Sequence, residues 1–125
     1  MKWYIGQVFE GHKVGRKIGF PTINLDPHIL PKDQEEGVYA SLVNYKGNIY
    51  TGALYLGPRQ VFNETKIVLE IFLLNFDSQI YGEEIPFLLV KKVRGLVDLP
   101  SVEALKDQMA KDVKKIKAAV SSSSR

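Results

Sequence analysis

Five stretches of this chain are built from residues that pack well on a pleated surface, and turn residues stand between them. Trp3–Phe9, Gly37–Asn44, Ile49–Leu56, Ile67–Phe76 and Ile85–Val93 are each rich in Val, Ile, Leu, Tyr and Phe, which reads as five strands. Tyr45-Lys46-Gly47-Asn48, Gly57-Pro58, Asp77-Ser78-Gln79 and Tyr81-Gly82 supply the turns. After Pro100-Ser101 the period changes. Val102, Leu105, Met109, Val113, Ile116 and Val120 fall three and four residues apart, the spacing of one apolar stripe on one helix. Ser101 suits its N-cap, and Glu103 in the first turn complements the helix dipole. Closely spaced strands followed by a single helix predict a mainly-β domain, an antiparallel barrel with the helix packed outside.

A chain of 125 residues holds one such domain rather than two. The expected division is a folded domain over 1–120 and a disordered tail over 121–125, because Ser121–Ser124 has no apolar surface to bury. Hydrophobic residues at 45% and charged residues at 25% argue against disorder elsewhere. No apolar run reaches the 18 or so residues of a membrane span. Met1-Lys2-Trp3-Tyr4-Ile5-Gly6 lacks the apolar core of a signal peptide, so a cytoplasmic location without membrane contact is expected. The absence of cysteine excludes disulfide scaffolds, thiol catalysis and zinc–thiolate sites. The net charge of +3 is unevenly spread: residues 106–125 carry +4 and the rest of the chain −1. A nucleic-acid partner calls for a basic stripe on the folded surface, so none is expected here.

Three places carry residues with chemistry. Glu70 lies within Ile67–Leu74, where period-2 alternation sets it on one face with Val68 and Phe72. Burying an unpaired carboxylate is costly, so such a group is a candidate acid or base. The plain alternative is an edge-strand acid that faces solvent or pairs with a lysine. Thr22 and Asn24, two residues apart in an extended Pro21-Thr22-Ile23-Asn24 segment, point to the same side. They offer two neutral oxygens to a hard cation or a phosphate; the alternative is a turn with an Asn cap. Gly11-His12-Lys13-Val14-Gly15-Arg16-Lys17-Ile18-Gly19 combines glycines and cations as a phosphate-covering loop would, and equally as a flexible surface loop would. It lacks the Gly-Lys-Ser/Thr of a Walker motif. The whole gap from Glu10 to Glu36 reads as a long functional loop. His12 and His28 have no partner at metal-ligand spacing and read as loop residues.

In order along the chain, these elements resemble the riboflavin kinase (flavokinase) family. The matching pieces are Gly6-Gln7-Val8, Gly11, Gly15 through Leu25, Gly37-Val38-Tyr39-Ala40, Leu56-Gly57-Pro58-Arg59 and Phe62-Asn63-Glu64. Leu69-Glu70 through Phe76-Asp77, Tyr81-Gly82, Val93-Arg94, Ser101 through Leu105 and Asp112 complete them. The resemblance implies a six-stranded Greek-key barrel with a C-terminal helix and an ATP:riboflavin 5′-phosphotransferase that makes FMN and ADP. It implies Glu70 as general base, and Thr22 and Asn24 as ligands of Mg2+ or another divalent ion. The nucleotide site would comprise Gly11, Gly15, Arg16, Gly19, Thr22, Asn24, Leu73, Asn75 and Tyr81, and the flavin site Arg94 and Leu99. Riboflavin or FMN and ATP or ADP are the implied partners of a monomer. FMN is the expected end product, because the chain has no room for an adenylyltransferase domain and no His-x-Gly-His motif.

The chain departs from the family pattern at several positions. Phe72 stands where members often carry His, Asn75 where an acid or His is frequent, and Gln60-Val61 where bacterial members show Pro-Thr. Leu96 and Leu99 replace a common Glu and Phe. The alternatives to the kinase are a flavin- or nucleotide-binding module of impaired catalysis and, more remotely, a small nucleic-acid-binding barrel.

Overall fold

A computed structural model describes residues 2–10, 20–59 and 64–123. Six strands form one antiparallel sheet: β1 (Tyr4–Gln7), β2 (Thr22–Leu25), β3 (Gly37–Tyr45), β4 (Asn48–Pro58), β5 (Ile67–Leu73) and β6 (Glu84–Arg94). Their order is β1-β6-β3-β4-β5-β2. β3, β4 and β5 follow one another as neighbours, and β6 returns to lie beside β3, which is a Greek key. The sheet curls until its outer strands meet at a single bridge beyond the end of β1, where Phe9 N–H donates to Asn24 C=O at 3.0 Å. Two register shifts between β3 and β6, at Val38/Tyr39 and Ala40/Ser41, add local twist of the kind that curls a sheet.

The sixth strand is the one that the alternation of apolar residues did not reveal. β2 and a 3-10 turn at Pro27–Ile29 lie inside the expected loop from Glu10 to Glu36. The strand is four residues long, too short for a periodic signal of its own. Its pairing with β5 defines it, Thr22 opposite Phe72 and Asn24 opposite Glu70. The other strands lie within a few residues of their expected places.

The pleat divides the sheet into two apolar layers. Leu54, Leu56, Leu69, Ile71, Leu73, Ile85 and Phe87 fill the interior together with Val8, Leu25 and Val43. On the outside, Val38 and Ala40 of β3 pack with Ala53 and Tyr55 of β4 and Val90 and Val93 of β6 against the helix α1 (Val102–Ser123). Ser101 caps that helix as expected, its Oγ accepting from Ala104 N–H at 3.1 Å. Of the predicted stripe only Ile116 is fully buried, and Val102 is exposed. The helix is tied down by charge as well. Arg94 donates from Nε and Nη2 to the two carboxylate oxygens of Asp112 at 2.8 and 2.9 Å. The helix also continues through Ser121 to Ser123, so three residues of the expected tail are helical. Among the described residues, no helix is long and apolar enough to cross a membrane.

Because Ile116 is the buried centre of the helix contact, Ile116→Ala should cost about 2–5 kcal/mol of stability. Val102→Ala, at an exposed position, should stay within about 0.5 kcal/mol of the parent. Urea melts of the two variants check the difference, and equal midpoints would mean that α1 is not docked through Ile116.

Candidate functional site

The helix covers the outer face of the sheet over β6, β3 and β4, and the outer face of β5 and β2 carries polar groups instead. Direct pairing sets Tyr55 of β4, Glu70 of β5 and Asn24 of β2 in one row across three strands. Ala53, Phe72 and Thr22 form the next row. Opposite residues of an antiparallel pair point to the same side. Thr22, Asn24 and Glu70 therefore share a face, as the two-residue spacing predicted for the first two. Thr22 Oγ1 donates to Glu70 Oε1 at 3.0 Å.

Glu70 is not the unpaired carboxylate that its apolar neighbours suggested. Arg59, just past the end of β4, donates from Nη2 to Glu70 Oε1 at 2.8 Å and from Nε to Oε2 at 3.2 Å. The same Nη2 reaches Asn24 Oδ1 at 3.3 Å. Both partners are largely withdrawn from water, with side-chain exposures of 8% and 14%. Thr22, Glu70, Arg59 and Asn24 thus form one hydrogen-bonded network, Arg59 and Asn24 buried and Thr22 and Glu70 half-buried. Arg59 belongs to the motif that carried the resemblance, yet its role had no local signal. The cue in hindsight is an arginine placed directly after Gly57-Pro58.

Gly57 and Pro58, expected as a turn, are instead the last residues of β4, paired with Val68 and Ile67. The Tyr55 hydroxyl donates to the Pro58 carbonyl. Gly57 adopts φ +152, a conformation that side chains with a Cβ rarely take, which favours glycine. Phe72, which replaces the frequent histidine, packs edge-on against Phe20 with ring centroids 5.3 Å apart.

The remaining expected site residues are more scattered. Leu73 has its side chain in the core, on the face opposite Glu70. Asn75 is exposed in the turn after β5 at φ 58, and Tyr81 packs at the core's edge. Arg94 is engaged by Asp112 and donates from Nη1 to Gly95 C=O at 3.0 Å, while Leu99 is half-buried. Gly11, Gly15, Arg16 and Gly19 lie outside the described residues. Thr22 Oγ1 and Asn24 Oδ1 are two neutral oxygens on one face, the kind of donor a hard divalent cation takes, and Asn24 Oδ1 also accepts from Arg59. No group of three or more His, Cys, Asp or Glu able to hold a metal occurs among the described residues, so phosphate and water would complete the shell.

The chain matches the family model described as riboflavin kinase over residues 3–120. It is 39% identical over 114 residues to the bifunctional riboflavin kinase/FMN adenylyltransferase of Haemophilus influenzae, covering 90% of this chain and 37% of that protein. It is 36% identical over 109 residues to the RNA-binding riboflavin kinase RibR of Bacillus subtilis, covering 86% of this chain and 46% of the relative. It therefore spans less than half the length of either. A solved structure of a macrolide-efflux protein from Streptococcus pneumoniae superposes with a TM-score of 0.76 at 27% identity, covering 92% of this chain and 38% of the other.

Tyr55 gives the site a pH signature. Burial pushes its phenol up to about 12, with the Glu70 carboxylate acting in the same direction and Arg94 and Arg59 against it. A phenol that ionises later in the folded state than in the unfolded chain favours folding below the unfolded value of about 10. That contribution should be lost as the pH rises from about 10 towards 12. Thermal melts of the parent and Tyr55→Phe should converge over this range. A constant gap between them would show that the phenol titrates as in an unfolded chain.

Proposed function

Because the chain belongs to the riboflavin kinase family, we propose that it transfers the γ-phosphoryl group of ATP to the 5′-hydroxyl of riboflavin, giving FMN and ADP. The observation that carries the reading is the single hydrogen-bonded network of Glu70, Thr22, Asn24 and Arg59 on one face of the sheet. It supplies a proton acceptor, two neutral oxygens and a cation within hydrogen-bond reach of one another. Phosphoryl transfer needs positioning and charge neutralisation more than covalent work by the protein.

In this reading Glu70 accepts the proton of the ribityl hydroxyl as the hydroxyl oxygen attacks phosphorus. Among the described residues, Thr22 and Arg59 use three of the four acceptor positions of its carboxylate, and the fourth is the proposed place of the incoming hydroxyl. Thr22 and Asn24 would hold Mg2+ or another divalent ion beside the nucleotide phosphates. The bound metal neutralises charge on those phosphates. Phe72 and Phe20 give the same face an apolar wall that keeps water from the reacting atoms. The glycine- and arginine-bearing segment Gly11–Gly19 remains the proposed cover for the nucleotide, and Arg94 and Leu99 the proposed flavin contacts. FMN is the proposed product of the reaction, and a cytoplasmic monomer without nucleic-acid partners the proposed setting.

Incubation of the chain with riboflavin, ATP and Mg2+, followed by chromatography of the flavins, tests the reaction directly. Glu70→Gln keeps the shape and removes the proton acceptor, so turnover should fall by about 10²-fold or more while riboflavin still binds. Near-parental turnover would sink the general-base assignment. Thr22→Val deletes one metal-directed oxygen. ADP affinity should weaken more in Mg2+ than in chelator, and equal weakening would make Thr22 purely structural.

A further inference from the structure

Arg59 is held from both ends. Its guanidinium meets both carboxylate oxygens of Glu70 and the amide oxygen of Asn24. Its backbone directly follows the end of β4, where Tyr55 donates to the Pro58 carbonyl, and its own carbonyl accepts from Glu64 N–H at 3.3 Å. A carboxylate gripped at one oxygen can still turn about its last side-chain bond. A planar fork gripping both oxygens sets the plane of the carboxylate, which an ammonium group cannot do. The Asn24 contact then ties that plane to β2, where Thr22 lies two residues away on the same face.

From this geometry we infer that Arg59 is the positioning residue of the phosphoryl-transfer site, holding the Glu70 carboxylate and the Asn24 amide in one rigid frame. The inference rests on the riboflavin kinase reading, in which Glu70 is the group that meets the substrate. Arg59 acts through Glu70: it aims the fourth acceptor position and keeps the proton acceptor at a constant distance from the phosphate-directed oxygens. A catalytic group displaced by a fraction of its working distance loses much of its rate advantage. The effect therefore belongs in kcat rather than in flavin binding.

A mutant cycle in the full chain tests this, with FMN formation, the riboflavin KM and thermal melts as readouts. Arg59→Met should lower kcat by about 30- to 100-fold with the riboflavin KM within about threefold of the parent. Arg59→Lys restores the charge without the fork and should recover about a third to a tenth of the lost rate. The double variant Arg59→Met, Glu70→Gln should be no slower than Glu70→Gln alone, within about threefold, because residues that act as a unit do not multiply their losses. If Arg59→Met fails to fold because it leaves a buried carboxylate unpaired, the double variant, which carries neither charge, and Arg59→Lys still decide. Losses that multiply in the double variant, parental kcat in Arg59→Met, or a Lys variant as fast as the parent would each overturn the assignment while leaving the kinase standing. A parental chain that forms no FMN would overturn both.

Discussion

Along β5 the side chains of Leu69, Ile71 and Leu73 enter the core, while Glu70 and Phe72 leave it on the other side. The rest of the molecule is arranged around that pleat. Its inner half is held by β4 and β2, whose Leu54, Leu56 and Leu25 meet it in the interior. Its outer half would be an apolar strip broken by one carboxylate, and a sheet cannot leave that carboxylate buried alone. Thr22 from β2 and Arg59 from the end of β4 resolve the conflict by donating to the carboxylate. The same pleat thus supplies both the driving force for folding and the polar face available for chemistry.

Two buried ion pairs divide the outer face. Arg94 with Asp112 fastens the helix to β6, and Gln108 adds a third donor to that carboxylate at 3.0 Å. Arg59 with Glu70 organises the face that the helix leaves open. Buried pairs of this kind contribute little net stability, because desolvation of both ions offsets most of their attraction. What they do provide is direction: each joins elements that apolar packing alone would allow to slide. Tyr55 lies between them, its phenol sensing both arginines and Glu70 while packing beside the helix. A change at the helix contact therefore has a short physical route to the site.

Much of this was legible along the chain. β3 to β6 show their apolar pattern over seven or more residues, and the helix shows its stripe, its Ser101 cap and its start. Thr22 and Asn24 could be set on one face because a two-residue spacing in extended backbone has a single outcome. β2 could not be recognised by period, since four residues between glycines and prolines carry too little pattern. Arg59 could not be assigned to Glu70, because the two meet only across the β4–β5 pairing, 11 positions apart. Nor could the pairing of Arg94 with Asp112 be assigned, since the partner lies on the helix 18 residues away.

By itself, then, the order of residues determined where most of the strands lie, where the helix starts and which few polar side chains stand out against apolar surroundings. Those are properties of neighbours a few bonds apart, where backbone geometry leaves little choice. Tertiary structure alone decided which of the polar groups meet. The contact of Arg59 with Glu70 and Asn24, and the closure of the sheet at Phe9 and Asn24, join residues 11, 35 and 15 positions apart. Such contacts arise only once the pleat and the register are both in place. Charges then pair because burial in a sheet face already committed to apolar packing leaves them no water to pair with.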